Sequence, residues 1–163
     1  MLFDVKQLFE GSVTSAPVST TVDTATLSLP HVKKATASGV FSNHAGVITI
    51  DASVTVDIDT VCDRCLTQVQ RRYQLPVRHT LVRKLQSEDT LSDEYLEVEG
   101  DSIDLDELFG TEIVLGLPNK ILCRDDCKGL CPKCGCNRNE HECGCVLKET
   151  DPRLAALKQL LDK

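Results

Sequence analysis

Seven cysteines lie between Cys123 and Cys145, spaced Cys123-x3-Cys127-x3-Cys131-x2-Cys134-x-Cys136-x6-Cys143-x-Cys145, and Cys62 and Cys65 form a further CxxC upstream. Disulfide frameworks, redox centres and metal sites all use cysteines this densely. A disulfide framework fits poorly, because the total of nine is odd and the opening Met1-Leu-Phe-Asp-Val-Lys has no basic segment followed by an apolar run that would direct secretion. In a reducing cytosol, gaps of two or three residues read as metal-ligand spacing. A redox role for Cys62 and Cys65 would need a thioredoxin-like βαβ pattern around them, and none surrounds them.

Zinc takes four ligands tetrahedrally, and thiolates satisfy it fully. Cys131-Pro-Lys-Cys134-Gly135 is a CPxCG turn. Two intervening residues let both sulfurs converge on one ion, and the glycine permits the tight left-handed bend. The second pair is open to choice. Cys143 and Cys145 could close a site with Cys131 and Cys134, while Cys123 and Cys127 are the rival pair. A second Zn2+ could then sit between Cys62, Cys65, Cys123 and Cys127, leaving Cys136 over. That division requires a turn at Cys62–Cys65 to fold onto the C-terminal segment. His141 is a conceivable substitute ligand. Iron–sulfur clusters also accept four cysteines, but the CPxCG turn points to zinc.

Away from the cysteines the pattern is that of a β-rich domain. From Ala35 to Val61 apolar residues recur at every second position, with Ile48, Ile50, Ala52, Val54, Val56 and Ile58 in one phase and Asp51, Ser53, Thr55, Asp57 and Asp59 in the other. This is the signature of a half-buried strand, and a run so long is expected to bend or break once. Asn43 to Gly46 supplies the turn before it. Gln68 to Lys84 reads as one long strand or two shorter ones pairing back, with Cys62–Cys65 at the hairpin tip. Val5 to Phe9 is a short helix or strand edge ending at Gly11. Ser12 to Thr21 is loop or exposed strand, Leu85 to Ser92 an acidic loop, and Tyr95 to Val98 a short strand. Leu105, Leu108, Phe109, Ile113 and Leu117 form the apolar stripe of a helix opened at Ile103 or Asp104. Asp151 and Pro152 open a last short helix.

These elements predict an α+β protein with an antiparallel sheet, strongly curved or barrel-like, and a packed helix. Residues 1–120 form the β-rich domain, and residues 121–163 carry the cysteine-rich zinc knuckle and a short helix. No stretch approaches the roughly 20 apolar residues that span a bilayer, so the expected setting is cytoplasmic, away from membrane. No GxSxG, HExxH, Walker A or GxGxxG motif is present, and an enzyme is not expected.

The net charge is −7 at pH 7, which argues against a wholly nucleic-acid-binding surface. Its distribution is segregated. Arg64, Arg71, Arg72, Arg78, Arg83 and Lys84 occur with no intervening acid, whereas Glu88 to Glu107 carries ten acids and no base. The basic run could meet phosphate; alternatively, the two runs are solvated faces that attract one another.

Several motifs in order resemble one family: Cys62-Asp-Arg-Cys65-Leu66, Ile103-Asp-Leu, Glu112-Ile with Leu117-Pro118, Cys127-Lys-Gly-Leu-Cys131-Pro-Lys-Cys134-Gly135, Asn137 and Asn139, Cys143-Gly-Cys145, and Asp151-Pro-Arg-Leu-Ala-Ala-Leu157. Together they are similar to the YceD-like proteins (domain of unknown function 177). The likeness covers Cys62 to the end. It implies a bacterial or plastid protein needed for accumulation of the large-subunit (23S) ribosomal RNA, and hence a role in ribosome assembly. Cys136 as an extra thiol and Arg138 in place of an apolar residue depart from the family pattern. On this resemblance the chain is expected to be a non-enzymatic factor binding large-subunit rRNA or a pre-ribosomal particle through the six basic residues, joined by Lys128, Lys133 and Arg138. The alternative is a zinc-stabilised adaptor whose acidic stretch binds a basic ribosomal or assembly protein.

Overall fold

A computed structural model of the chain describes residues 1–83, 95–98 and 100–145. The acidic loop expected from Leu85, the helix expected from Asp151, and Lys84 fall outside them. The chain divides into two compact units, residues 1–60 with 69–119, and residues 61–68 with 120–163.

The first unit is α+β. Its strands are β1 (Leu2–Asp4), β2 (Ser15–Thr21), β3 (Val32–His44), β4 (Val47–Val61), β5 (Gln68–Val82), β6 (Tyr95–Glu97) and β7 (Ser102–Asp104), the ends of β4 and β5 continuing into the second unit. Among the described residues two α-helices, α1 (Lys6–Phe9) and α2 (Leu105–Gly116), and a 3-10 turn at Thr24–Leu27 accompany them. The main sheet has the order β2-β3-β4-β5-β6, and β1 pairs with β7 in a small second sheet.

The period-two pattern does what alternation requires. Ile48, Ile50, Ala52, Val54, Val56 and Ile58 are all buried, and the residues between them face outward. The run from Val47 does not break: β4 is one strand of 15 residues. The irregularity lies instead in β3, where the register shifts between Val32 and Lys34. His44 pairs with Val47 across a two-residue turn, whose Ala45 and Gly46 both have positive φ (54° and 90°). This is the twist-matched geometry that hairpins prefer, and Asn43 Oδ1 accepts the Gly46 amide at 2.8 Å.

On the outward face, side chains of β5 meet those of β4 in antiparallel sequence. Gln70 bonds Asp59, Arg72 bonds Asp57, and Arg78 bonds Asp51. The inward face carries Val69, Val77 and Leu81, all buried. His79, also inward, bonds Glu112 of α2 at 2.9 Å. Asp104 caps α2, its side chain accepting the Asp106 amide at 2.9 Å, and Asp106 and Glu107 suit the positive end of the helix. Leu105, Leu108, Phe109 and Ile113 bury the inner side of α2.

Two features correct the expected architecture. Among the described residues the sheet is open rather than barrel-like, with β2 and β6 at its edges. The three residues of β6 offer too short an edge to close against β2, and α2 meets the inward face of β5 through Glu112 and His79. The sheet is also not wholly antiparallel, since β6 runs parallel to β5.

Gly39 faces Ala52 across the β3–β4 pair, and a Cβ there would lie 2.4 Å from the Ala52 Cβ. Gly39→Val is therefore expected to destabilise the protein by about 1–3 kcal/mol through overpacking. Ser38→Val, on an exposed neighbouring position, should stay within about 0.5 kcal/mol. Urea unfolding midpoints of the two variants check this, and equal midpoints would contradict it.

Candidate metal centres

The second unit gathers eight of the nine cysteines into two groups. Cys62, Cys65, Cys123 and Cys127 form one, and Cys131, Cys134, Cys143 and Cys145 the other, with the four sulfurs of each group within 4.8 Å of one another. None of the nine cysteines is in a disulfide.

In the first group the turn after β4 presents two thiols on one side. The Cys62 amide donates to Thr67 O at 2.8 Å, and the Leu66 amide to Cys62 O at 2.9 Å. Leu66 takes a left-handed φ of 60° to close the turn, a conformation that costs a branched side chain energy and is held by the bonds around it. The C-terminal segment then docks on this turn through its backbone. Asp63 N donates to Ile121 O at 3.0 Å, and Asp63 Oδ2 accepts from Ile121 N at 2.6 Å. Leu130 N donates to Arg64 O at 2.9 Å, and the Arg64 guanidinium donates to Cys127 O at 3.0 Å. Gly129 lets the two backbones approach, since a Cβ there would be 3.0 Å from Arg64 O. As a result the Cys62 and Cys127 sulfurs are 3.8 Å apart, and those of Cys65 and Cys123 are 3.5 Å apart.

The second group is built on the CPxCG turn. Gly135 N donates to Cys131 O and Cys131 N to Cys136 O, both at 2.8 Å, and Gly135 has φ 72°. Leu130 and Asn137 bridge across the turn. Cys131 is buried, Cys134 is exposed, and Cys143 and Cys145 are half-buried. His141 belongs to neither group.

The thiols are tuned unequally. Burial opposes ionisation of Cys62, but the amides of Cys123, Arg64 and Cys65 outweigh it and bring the thiol down to about 6. The amides of Cys134 and Lys133 bring Cys131 down to about 6 against its burial, and the Cys136 amide lowers Cys134. Burial and neighbouring sulfurs push Cys123 up to about 12, and Cys134 together with burial does the same to Cys145. In each group the first thiolates are stabilised by amides, and the next resist forming beside them. A divalent cation removes that conflict, because metal binding deprotonates the remaining ligands.

The spacing suits a single ion. Four sulfurs at about 2.3 Å from a tetrahedral zinc stand about 3.8 Å from one another. A cluster of several irons would spread its cysteines over different metals and hold them further apart. Four protein ligands leave no open position for water, so such a centre scaffolds rather than hydrolyses. The low-pKa Cys62 is fully buried, which suits a ligand better than a nucleophile.

Asn139 has a role that the spacing of cysteines did not disclose. Its Nδ2 donates to the Cys127 sulfur at 3.3 Å, while its Oδ1 accepts from Lys128 N and the Arg124 guanidinium, each at 2.8 Å. Asn137 Oδ1 in turn accepts from Asn139 N and Nδ2. The only sequence signal was the recurrence of asparagines after the knuckle.

The basic residues expected to meet RNA are not assembled into a free patch. Arg72 forms a two-pronged pair with Asp57 at 2.6 and 3.1 Å, and Arg78 pairs with Asp51 at 2.6 Å. The Arg72 charge holds the Asp57 carboxyl below its usual range. Arg83 pairs with Asp101 at 3.0 Å and lies over the Phe9 ring, 4.6 Å from its centre. Arg71 is exposed on β5 and Arg64 is engaged with Cys127 as above. Lys128 pairs with Glu142 at 3.9 Å, while Lys133 is exposed and Arg138 half-buried. The acids of the stretch from Glu88 that are described are Glu97, Asp101, Asp104, Asp106 and Glu107.

If the two groups are metal centres, chelation should free their eight thiols. All nine cysteines should then alkylate with iodoacetamide, because thiols outside a metal centre can form the reactive thiolate. Restored zinc should protect the eight grouped cysteines and leave Cys136 the one reactive thiol. Mass-spectrometric mapping of labelled cysteines reads the pattern, and protection of all nine or of none in the zinc-loaded protein would contradict the assignment.

The family model for the large ribosomal RNA subunit accumulation protein YceD matches residues 50–161, a span that contains all nine cysteines. Uncharacterized proteins of Mycobacterium bovis and of two Mycobacterium tuberculosis strains are 36% identical over 111 residues, covering 66% of this chain and 53% of theirs. The chain thus spans about half the length of the curated relatives it matches. No solved structure matches it. With most of its length, both thiol groups included, under one family model, the chain belongs to the YceD family of large ribosomal RNA subunit accumulation proteins.

Proposed function

We propose that this chain is a zinc-stabilised, non-enzymatic factor that supports 23S rRNA accumulation by contacting a protein of the pre-ribosomal particle in the cytoplasm. The zinc reading rests on the two four-thiol groups. With Zn2+ bound, the residues around Cys62 and Cys65 would be cross-linked to those around Cys123 and Cys127, making a β-rich domain and a zinc knuckle of the two units. The metal supplies folding energy, and the reducing cytosol keeps its thiols available as ligands.

The choice of partner rests on charge. Arg72, Arg78 and Arg83 are each matched by an aspartate, so little positive potential is left for phosphate. Each zinc held by four thiolates also leaves two further negative charges on a chain already at −7. Phosphate contact needs unneutralised Lys and Arg, whereas an acidic surface attracts a basic ribosomal protein. Direct rRNA contact through Arg64, Arg71, Arg72, Arg78, Arg83 and Lys84 is the second reading. It is supported by the exposure of the Arg72 and Arg78 side chains, 68% and 78%, where a phosphate could displace the aspartate.

Tagged protein purified from cells should retain large-subunit proteins after RNase treatment. Arg72→Glu with Arg78→Glu should leave that association within about twofold, because the paired arginines carry little of it. Loss of the association on RNase treatment, or in the double variant, would establish the RNA reading instead.

A further inference from the structure

Within the first unit, a cleft of about 750 Å3 lies between α2 and the β6–β7 region. Leu96, Val98, Ile103 and Leu108 supply its apolar lining, and Glu97 and Glu107 are among its carboxylates. Glu112 is taken up by His79 and Asp104 by the Met1 amine. Glu97 and Glu107 are both exposed, and neither forms an ion pair among the described residues. At the rim Leu115 is 76% exposed and Tyr95 41% exposed. Exposed apolar side chains of this size are poorly solvated by water, and the two carboxylates beside them have no ion pair among the described residues. The volume falls within the roughly 300–1,000 Å3 of ordinary ligand clefts.

We propose that this cleft docks a basic segment of a partner protein, with an apolar side chain seated against Leu115 and Tyr95 and lysine or arginine side chains on Glu97 and Glu107. This deepens the protein-contact reading and rests on it. Charge selects the occupant. RNA would bring phosphates against carboxylates, and the chain's own residues 85–94 carry four acids and no base. A basic segment has the complementary sign, and burying an apolar anchor at the centre of charged contacts is how short segments gain affinity.

The probe is a fluorescein-labelled peptide of alternating lysine and leucine, titrated against the full zinc-loaded chain. Glu107→Lys and Leu115→Asp, both at exposed positions, should each weaken binding about tenfold, a factor that corresponds to about 1.4 kcal/mol. Glu10→Lys, at the C-terminal cap of α1, should change it less than twofold. Equal weakening by Glu10→Lys would mean general charge attraction and overturn the proposal, as would absence of binding.

In cells, a photo-crosslinking residue in place of Leu115 should capture a protein through a segment of net positive charge. Capture of RNA, of residues 85–94 or of a second copy would overturn it. The underlying reading is tested separately. An RNase-resistant association with the large subunit that survives Glu107→Lys with Leu115→Asp overturns the cleft alone, whereas loss of the wild-type association on RNase treatment overturns both.

Discussion

Four cysteine sulfurs held within 4.8 Å of one another cannot all become thiolates unless a cation sits among them, and the second unit poses this problem twice. Each additional negative charge at such range raises the cost of the next. The backbone answers part of it, since amides of Cys123, Arg64 and Cys65 favour one thiolate at Cys62. A bound metal would resolve the rest. On the zinc reading proposed above, folding of this unit is coupled to metal binding, as in small domains that lack a core of their own. Among the described residues 120–145, Ile121, Cys127 and Cys131 are the buried apolar residues, too few to hold the segment by hydrophobic burial.

The first unit stands on different physics. Its core is Val, Ile, Leu and Phe arranged by alternation on strands and by a helical stripe on α2, with Phe41 stacked on Phe3 at 4.8 Å. Its outward face is polar and internally matched, with arginines of β5 opposite aspartates of β4. Exposed pairs of this kind contribute little to stability, but they cancel the potential that the arginines would otherwise project. Apparent basic runs in a sequence need not make basic surfaces, because the sheet decides which acid stands across from each base.

How much of this was legible in the sequence depended on the range of the interaction. The β4 strand, the turn at Asn43–Gly46 and the α2 helix are local patterns, and each was readable from periodicity, turn residues and a capping aspartate. The β1–β7 pair was not, because three-residue strands show no period to detect. The direction of β6 was hidden for the same reason. Open sheet versus barrel turned on pairing between strands distant in sequence, which alternation cannot specify. Among the cysteines, each CxxC was evident, but which pairs share a centre is a matter of chain path. The backbone bonds of Asp63 and Arg64 to Ile121 and Leu130, which bring the two segments together, had no sequence signature. Asn139 was visible only as a family motif until its amide was seen on the Cys127 sulfur.

Zinc K-edge X-ray absorption on protein purified without added metal, combined with its metal content, tests the central claim most directly. Two zinc ions per chain, each in a single shell of four sulfurs at about 2.3 Å, is the result this account predicts. Nitrogen or oxygen in the first shell, one ion per chain, or zinc-free folded protein would contradict it.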